Sequence, residues 1–102
     1  MLFRSLIREE ITKLGYNIAD EKIIKDSGVF YEIIKFIRAD KAIYGDKDIE
    51  FGPILRNEKS ATFKEKYQSR ITEINKLLDN KDLPKGRAIE LSKEKERIES
   101  VL

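Results

Sequence analysis

The most regular hydrophobic pattern lies in the second half of the chain. From Ser60 to Leu78, apolar side chains recur at steps of three and four residues, at Phe63, Tyr67, Ile71, Ile74, Leu77 and Leu78. This spacing is typical of one face of an α-helix. A second amphipathic segment follows Pro84, a residue suited to the first position of a helix, and carries Ala88, Leu91, Ile98 and Leu102. Because only a short turn separates the two segments, we predict a long antiparallel helical hairpin.

The pattern in the first half predicts shorter helices. Residues 2–14 show helical spacing, and a second helix is expected to begin after Asp20. An apolar stripe resumes from Val29 to Ile37, so residues 26–28 are predicted to separate two helices. The alternative is one longer helix that contains Gly28 at a cost of about 1 kcal/mol.

Residues 42–52 are the one region where the pattern predicts strands. Ala42-Ile43-Tyr44 and Ile49-Glu50-Phe51 flank a glycine-containing turn, which indicates a short β-hairpin. Two strands of this length are not stable alone, so the hairpin would have to pack on the helices.

The predicted fold class is therefore mainly α. We expect a single domain over residues 1–102, with four or five helices that end in a long antiparallel αα-hairpin. Residues 1–56 would supply the short helices and the β-hairpin, and residues 57–102 the helical hairpin.

Composition narrows the function classes. The 102 residues are 40% hydrophobic and 39% charged, with a net charge of +2 and no cysteine or histidine. Disulfides, zinc fingers, thiol nucleophiles and histidine relays are thereby excluded. Neither of the glycine-rich phosphate-binding motifs GxxxxGK[ST] and GxGxxG occurs. These absences predict a non-enzymatic protein that needs no cofactor.

The distribution of apolar and charged residues along the chain bears on the cellular location of the protein. No apolar run approaches the roughly 20 residues that cross a bilayer. The N-terminus has early acidic residues and no continuous apolar region, unlike a secretory signal. We therefore predict a cytoplasmic location and no membrane partner.

The leading functional hypothesis is a protein–protein interaction or assembly module. An exposed remnant of the hairpin stripe would bind another protein or a second copy of the chain. The candidate interaction residues are Leu77, Leu91, Ile98, Val101 and Leu102. The alternative is a monomeric bundle in which the other helices cover this stripe.

A second hypothesis is a nucleic-acid-binding accessory protein. Basic residues with interleaved aromatics precede and enter the first long helix, at Arg56, Lys59, Lys64, Lys66 and Arg70. A smaller anion-binding candidate is the start of the last helix, with Lys85 and Arg87. The plainer interpretation of the first group is a solvated helix face, and that of the second is a helix start with poorly placed cations.

The third hypothesis is a carboxylate-based metal site at Asp46, Asp48 and Glu50. These three acids occupy positions 1, 3 and 5 of a calcium-loop count. Position 6 is Phe51 in place of glycine, and position 12 is Asn57 in place of glutamate. The pattern therefore favours a turn and an edge strand over a metal site.

Overall fold

The structure is a computed structural model that describes residues 2–39 and 43–102. Along the chain, a β-hairpin and two short helices follow a first helix and precede a pair of long helices. The elements in chain order are α1 (Leu2–Lys13), β1 (Tyr16–Asp26), β2 (Val29–Arg38), α2 (Asp46–Phe51), α3 (Pro53–Glu58), α4 (Ala61–Leu78) and α5 (Lys85–Glu99). The predicted mainly-α class is therefore wrong.

A long β-hairpin replaces the helices predicted between residues 20 and 37. β1 and β2 pair antiparallel, and the register closes with Asp26 opposite Val29. Ser27 and Gly28 join the strands with φ of 51° and 79°, and positive φ at both positions is what a tight two-residue hairpin turn requires. Neighbouring isoleucines such as Ile33 and Ile34 place apolar groups on both sheet faces, a pattern that imitates a helical stripe.

Part of the region predicted as a short β-hairpin is helical: residues 43–45 have no regular secondary structure, a helix follows from Asp46, and Ala42 lies outside the described residues. Asp46 to Phe51 form α2, with the two aspartates in its first turn, where acidic groups favour the helix dipole. Gly52 has φ +88° and separates α2 from α3, which begins at Pro53. Two alternating apolar positions, Ile49 and Phe51, were too few to distinguish a strand from a helical turn.

The long helices lie where the periodicity places the helical hairpin. The Ser60 side chain caps α4 by accepting a hydrogen bond of 3.2 Å from the Phe63 backbone N–H. The helices run antiparallel and share a core with α2 and α3. That core contains Phe51, Leu55, Phe63, Tyr67, Ile74, Leu91, Ile98 and Val101.

Three aromatic rings join the helical pair to the short helices. The Tyr67 ring lies 5.1 Å from the Phe51 ring, edge to face, and 4.8 Å from the Phe63 ring. The whole molecule is elongated, with extents of 49 × 29 × 21 Å. Within the described ranges, none of the helices is long and apolar enough to cross a membrane.

Candidate functional site

A buried network of charged side chains lies between the β-hairpin and the helices. Arg8 of α1 is fully buried, and its Nε donates to Glu21 Oε2 at 2.8 Å while its Nη2 donates to Glu32 Oε1 at 2.7 Å. Lys66 of α4 donates to the other Glu32 oxygen. Two cations and two carboxylates from α1, β1, β2 and α4 therefore neutralise one another.

The start of α3 completes this network. Glu21 Oε1 accepts hydrogen bonds from the backbone N–H groups of Ile54 at 2.8 Å and Leu55 at 3.3 Å. The carboxylate thus satisfies free donors at a helix N-terminus and neutralises Arg8 at the same time. No buried side-chain nitrogen or oxygen in the described residues lacks a hydrogen-bond partner. The network has no free group directed at a ligand, and we assign it a structural role.

The protonation states in the network agree with a structural role. Burial by itself would raise the pKa of the Glu32 carboxyl, but Lys66 and Arg8 outweigh burial and the net shift is downward. Burial and the charge of Glu32 raise the pKa of the neighbouring Tyr67 phenol above its ordinary range. Glu32 therefore stays ionised and Tyr67 stays neutral near pH 7, so neither is suited to exchange protons there.

Ion pairs within the protein engage three of the five predicted nucleic-acid-binding residues. Arg56 Nε donates to Asp48 Oδ1 at 2.7 Å, and Lys66 belongs to the buried network. Arg70 makes two hydrogen bonds to Glu94, at 2.6 and 2.9 Å. Lys66 and Arg70 are thereby unsuitable for phosphate contacts, and Arg56 is only partly neutralised because its side chain is 38% exposed.

Lys59 and Lys64 remain as exposed cations near the base of the helical pair. Neither has an ion-pair partner within 4 Å among the described residues. Lys59 ends α3 in the left-handed conformation and borders an open-sided cleft of about 360 Å³. The cleft is lined by Pro53, Arg56, Asn57, Lys59, Ser100 and Val101. Two cations at its wall suit an anionic ligand such as a phosphate.

The smaller anion candidate at the start of α5 shows no built site. Lys85 and Arg87 are both exposed, and Arg87 Nη1 contacts Glu90 at 3.1 Å. Neither cation lines the cleft at the base of the helical pair.

The three predicted metal-binding acids do not converge either. Asp48 pairs with Arg56, and Glu50 accepts from Arg97 Nε at 2.9 Å. In residues 2–39 and 43–102, no group of three or more potential metal ligands comes together. Asp48 and Glu50 neutralise arginines on other elements, which explains their charge without a metal ion.

The predicted interaction residues belong to the core of the fold. Leu91 and Ile98 are fully buried and Val101 is almost so. Leu77 and Leu102 are partly buried against the same cluster. The stripe predicted to bind a partner is therefore occupied in packing α4 against α5, α2 and α3.

Comparison with known protein families identifies the family of this chain. Residues 4–101 match the sequence model of a family described as TrmK, tRNA (adenine(22)-N(1))-methyltransferase. The chain belongs to this TrmK family. A search of the curated proteins finds no match.

Solved structures share the TrmK fold of this chain. A candidate tRNA (m1A22) methyltransferase from Streptococcus pneumoniae is 26% identical with a TM-score of 0.86, over 97% of this chain and 45% of that one. The same protein was also solved with S-adenosyl-L-methionine, at a TM-score of 0.82, 26% identity and coverage of 97% of this chain and 42% of that one. The B. subtilis m1A22 tRNA methyltransferase TrmK is 25% identical with a TM-score of 0.77, over 95% of this chain and 46% of that one.

A third solved structure shares the fold at lower sequence identity. A Streptococcus agalactiae protein of the NADB-Rossmann superfamily is 22% identical with a TM-score of 0.83, over 97% of this chain and 43% of that one. This chain thus spans just under half the length of the solved structures that it matches. It corresponds to part of the longer proteins that share its fold and not to an independent helical bundle.

Membership in the TrmK family overturns the prediction of a non-enzymatic interaction module. The absence of cysteine and histidine excludes chemistry that depends on those side chains. It does not exclude reactions in which a cofactor carries the reactive group and the protein supplies binding and orientation. Composition was therefore too coarse a criterion to exclude an enzyme.

Proposed function

We propose that this chain forms part of an enzyme that methylates N1 of an adenine in tRNA. The observation that carries the proposal is the TrmK family match over residues 4–101. The similarity to the S. pneumoniae and B. subtilis structures over 97% and 95% of the chain supports it. Because the match covers less than half of those proteins, the activity is attributed to a larger unit that contains this chain.

The proposed methyl donor is S-adenosyl-L-methionine, which the S. pneumoniae relative binds. When bound, this donor supplies the methyl group. The described residues do not fit it, because their two-stranded sheet is antiparallel and lacks the parallel strand–helix turn of a Rossmann nucleotide site. The cleft beside Arg56 and Lys59 is also cationic and would repel a sulfonium. We therefore place the donor on the part of the enzyme that this chain does not match.

The contribution proposed for this chain is a tRNA contact at the base of the helical pair. Lys59 and Lys64 are exposed and unneutralised, and Arg56 lines the adjacent cleft. Such cations bind the phosphate backbone through release of counterions. Lys66 and Arg70 are not included in the proposed tRNA contact, because each already forms an ion pair within the protein. A tRNA substrate also fits the cytoplasmic location predicted from the sequence.

The activity is tested with a fusion protein. The segment of the S. pneumoniae relative that this chain matches is replaced by the full 102-residue chain, and methylation of an unmodified tRNA transcript is measured with S-adenosyl-L-methionine. Primer extension should stop at adenine 22, and a transcript with guanine at that position should remain unmodified. A fusion that binds S-adenosyl-L-methionine but leaves adenine 22 unmodified would contradict the proposal.

The RNA contact is tested with two charge-reversal pairs. Lys59→Glu with Lys64→Glu alters the base of the helical pair. Lys81→Glu with Lys85→Glu makes the same charge change at the other end, about 25 Å away. We expect the base variant to weaken tRNA binding about tenfold or more and to lower the salt dependence by about two phosphate contacts. Equal losses in both variants would show that the contact is not at the base.

A further inference from the structure

One face of the β-hairpin exposes five apolar side chains. Side chains alternate between the two faces of a strand, so the odd-numbered residues of β2 share one face. On this face, the outer sheet face, exposure ranges from 45% at Tyr31 to 55% at Ile33. Its apolar members are Ile24, Val29, Tyr31, Ile33 and Ile37. A cluster of exposed apolar side chains of this kind is typical of an interaction site in a folded protein.

The opposite face of the same sheet is already covered. It carries Glu21 and Glu32, which are buried against Arg8 and Lys66 of the helices. Phe30 and Ile34 of β2 are half-buried on this side. β2 thus presents apolar side chains to both faces, which is typical of a strand covered on both sides within a larger sheet.

β1 differs from β2 on the outer sheet face. On this face β2 carries one charged residue, Lys35, whereas β1 carries Asp20, Lys22 and Asp26 opposite Lys35, Ile33 and Val29. Charged residues at these positions are characteristic of the edge of a sheet, where they oppose further pairing. The outer face of β1 is more polar than that of β2, so β1 is suited to the edge of a larger sheet and β2 to an interior position in it.

The length of the relatives indicates what covers this surface. The chain is matched over 97% of its length, yet it accounts for only 45% of the S. pneumoniae structure. A relative of the same fold belongs to the NADB-Rossmann superfamily, whose mostly parallel sheets carry helices on both faces. Sheets of this type commonly end in an antiparallel edge strand. In the part of the chain that the structure describes, β2 pairs with β1 alone, so the other backbone edge of β2 has no strand beside it.

We propose that the outer sheet face and the free edge of β2 are the docking surface for the remainder of the methyltransferase domain. In this arrangement β2 lies between β1 and a strand of that remainder, whose apolar helices cover Ile24, Tyr31 and Ile33. The inference rests on the proposed function, because the partner is the rest of the same enzyme. It extends that function by assigning the surface through which the two parts become one sheet.

The experiment mixes the full chain with the part of the S. pneumoniae protein that it does not match, produced as a separate polypeptide. Light scattering should show a one-to-one complex. Ile33→Glu should weaken the complex at least about 30-fold, because a carboxylate would enter an apolar interface. Ile89→Glu is the matched control, since Ile89 is an isoleucine of α5 with nearly the same exposure, 57%. Circular dichroism verifies the fold of each variant, and Ile24→Glu is used in place of Ile33→Glu if the latter variant is unfolded.

The outcomes separate this inference from the proposed function. No complex, or a complex that tolerates both outer-face variants, would overturn the docking surface. So would a homodimer of the chain alone that Ile33→Glu abolishes, because the occupant would then be a second copy. A complex that behaves as expected but does not methylate tRNA would contradict the proposed function and leave the docking surface intact.

Discussion

Replacement of Gly52 by alanine tests the buried charge network most directly. Gly52 joins α2 to α3 with φ +88°, a backbone conformation that residues with a side chain rarely adopt. A Cβ atom at this position would lie 2.6 Å from Glu21 Oε2 and 2.7 Å from Arg8 Nη2. Both distances are shorter than a van der Waals contact, so Gly52→Ala must displace the ion pair.

The expected loss of unfolding free energy has two parts. Backbone strain at positive φ costs about 1–3 kcal/mol. Arg8 and Glu21 cannot move aside freely, because Glu32 and the N–H groups at the start of α3 hold them from the other sides. Breaking a buried pair costs about 3–5 kcal/mol, so displacing this one should add about 2 kcal/mol or more. The total is a large share of the roughly 5–15 kcal/mol that stabilises a domain.

The matched control is Gly28→Ala. Gly28 has a similar φ of +79°, and no atom lies within 4 Å of the position that the added methyl group would take, so this variant incurs the strain alone. Urea unfolding of the full chain, followed by circular dichroism, gives the free energy of each variant from the midpoint and an unchanged slope. If the two alanines cost the same within about 0.5 kcal/mol, the close approach of Gly52 to the ion pair does not matter.

Three further predictions concern single contacts. The unfolding free energy should fall as pH drops below about 4.5, because the pKa of the Glu32 carboxyl is lowered in the folded state and the unfolded carboxyl therefore takes up a proton first. Glu32→Gln should reduce the slope of the unfolding free energy against pH. An identical slope for the two proteins in acid titrations would refute the assignment. A double-mutant cycle on Arg70 and Glu94 should give a coupling energy of about 1 kcal/mol, because the pair is bidentate but partly exposed. A coupling energy near zero would show that this ion pair does not stabilise the fold. Phe51→Ala should cost about 3–5 kcal/mol in thermal or urea unfolding, because the ring is fully buried against Tyr67; a loss below about 1 kcal/mol would contradict its place in the core.

The candidate site was only partly predictable from sequence. Periodicity and charge located the basic residues near the base of the helical pair, including Lys59 and Lys64. Nothing local indicated that Arg8, Glu21 and Glu32 are buried, because charged residues at these spacings look like ordinary surface groups. Their burial depends on partners 13 to 34 positions away in the chain.

Functional class was beyond the reach of these residues alone. The chain covers less than half the length of its solved relatives, and its described residues contain no site that fits the methyl donor. The features that would reveal methyl transfer are therefore not among the motifs of this sequence. Family membership, and not composition, overturned the prediction of a non-enzymatic protein.

The sequence by itself determined the elements whose signal is local. α1, α4 and α5 each carry an apolar stripe at helical spacing, and α4 also has a side-chain cap at Ser60. Helical hydrogen bonds join residues four apart, so a short window holds the information that specifies a helix. The same holds for the turn at Ser27 and Gly28, although its meaning became clear only once both flanking segments were strands.

Only the tertiary structure decided the β-hairpin and the identity of its faces. In β2, apolar side chains on both faces satisfy a helical and a strand period equally well, so periodicity could not choose between them. Pairing with β1 and burial of Glu32 against Arg8 and Lys66 make the extended form the stable one. These contacts join segments far apart in the chain, and for that reason no local pattern contained them.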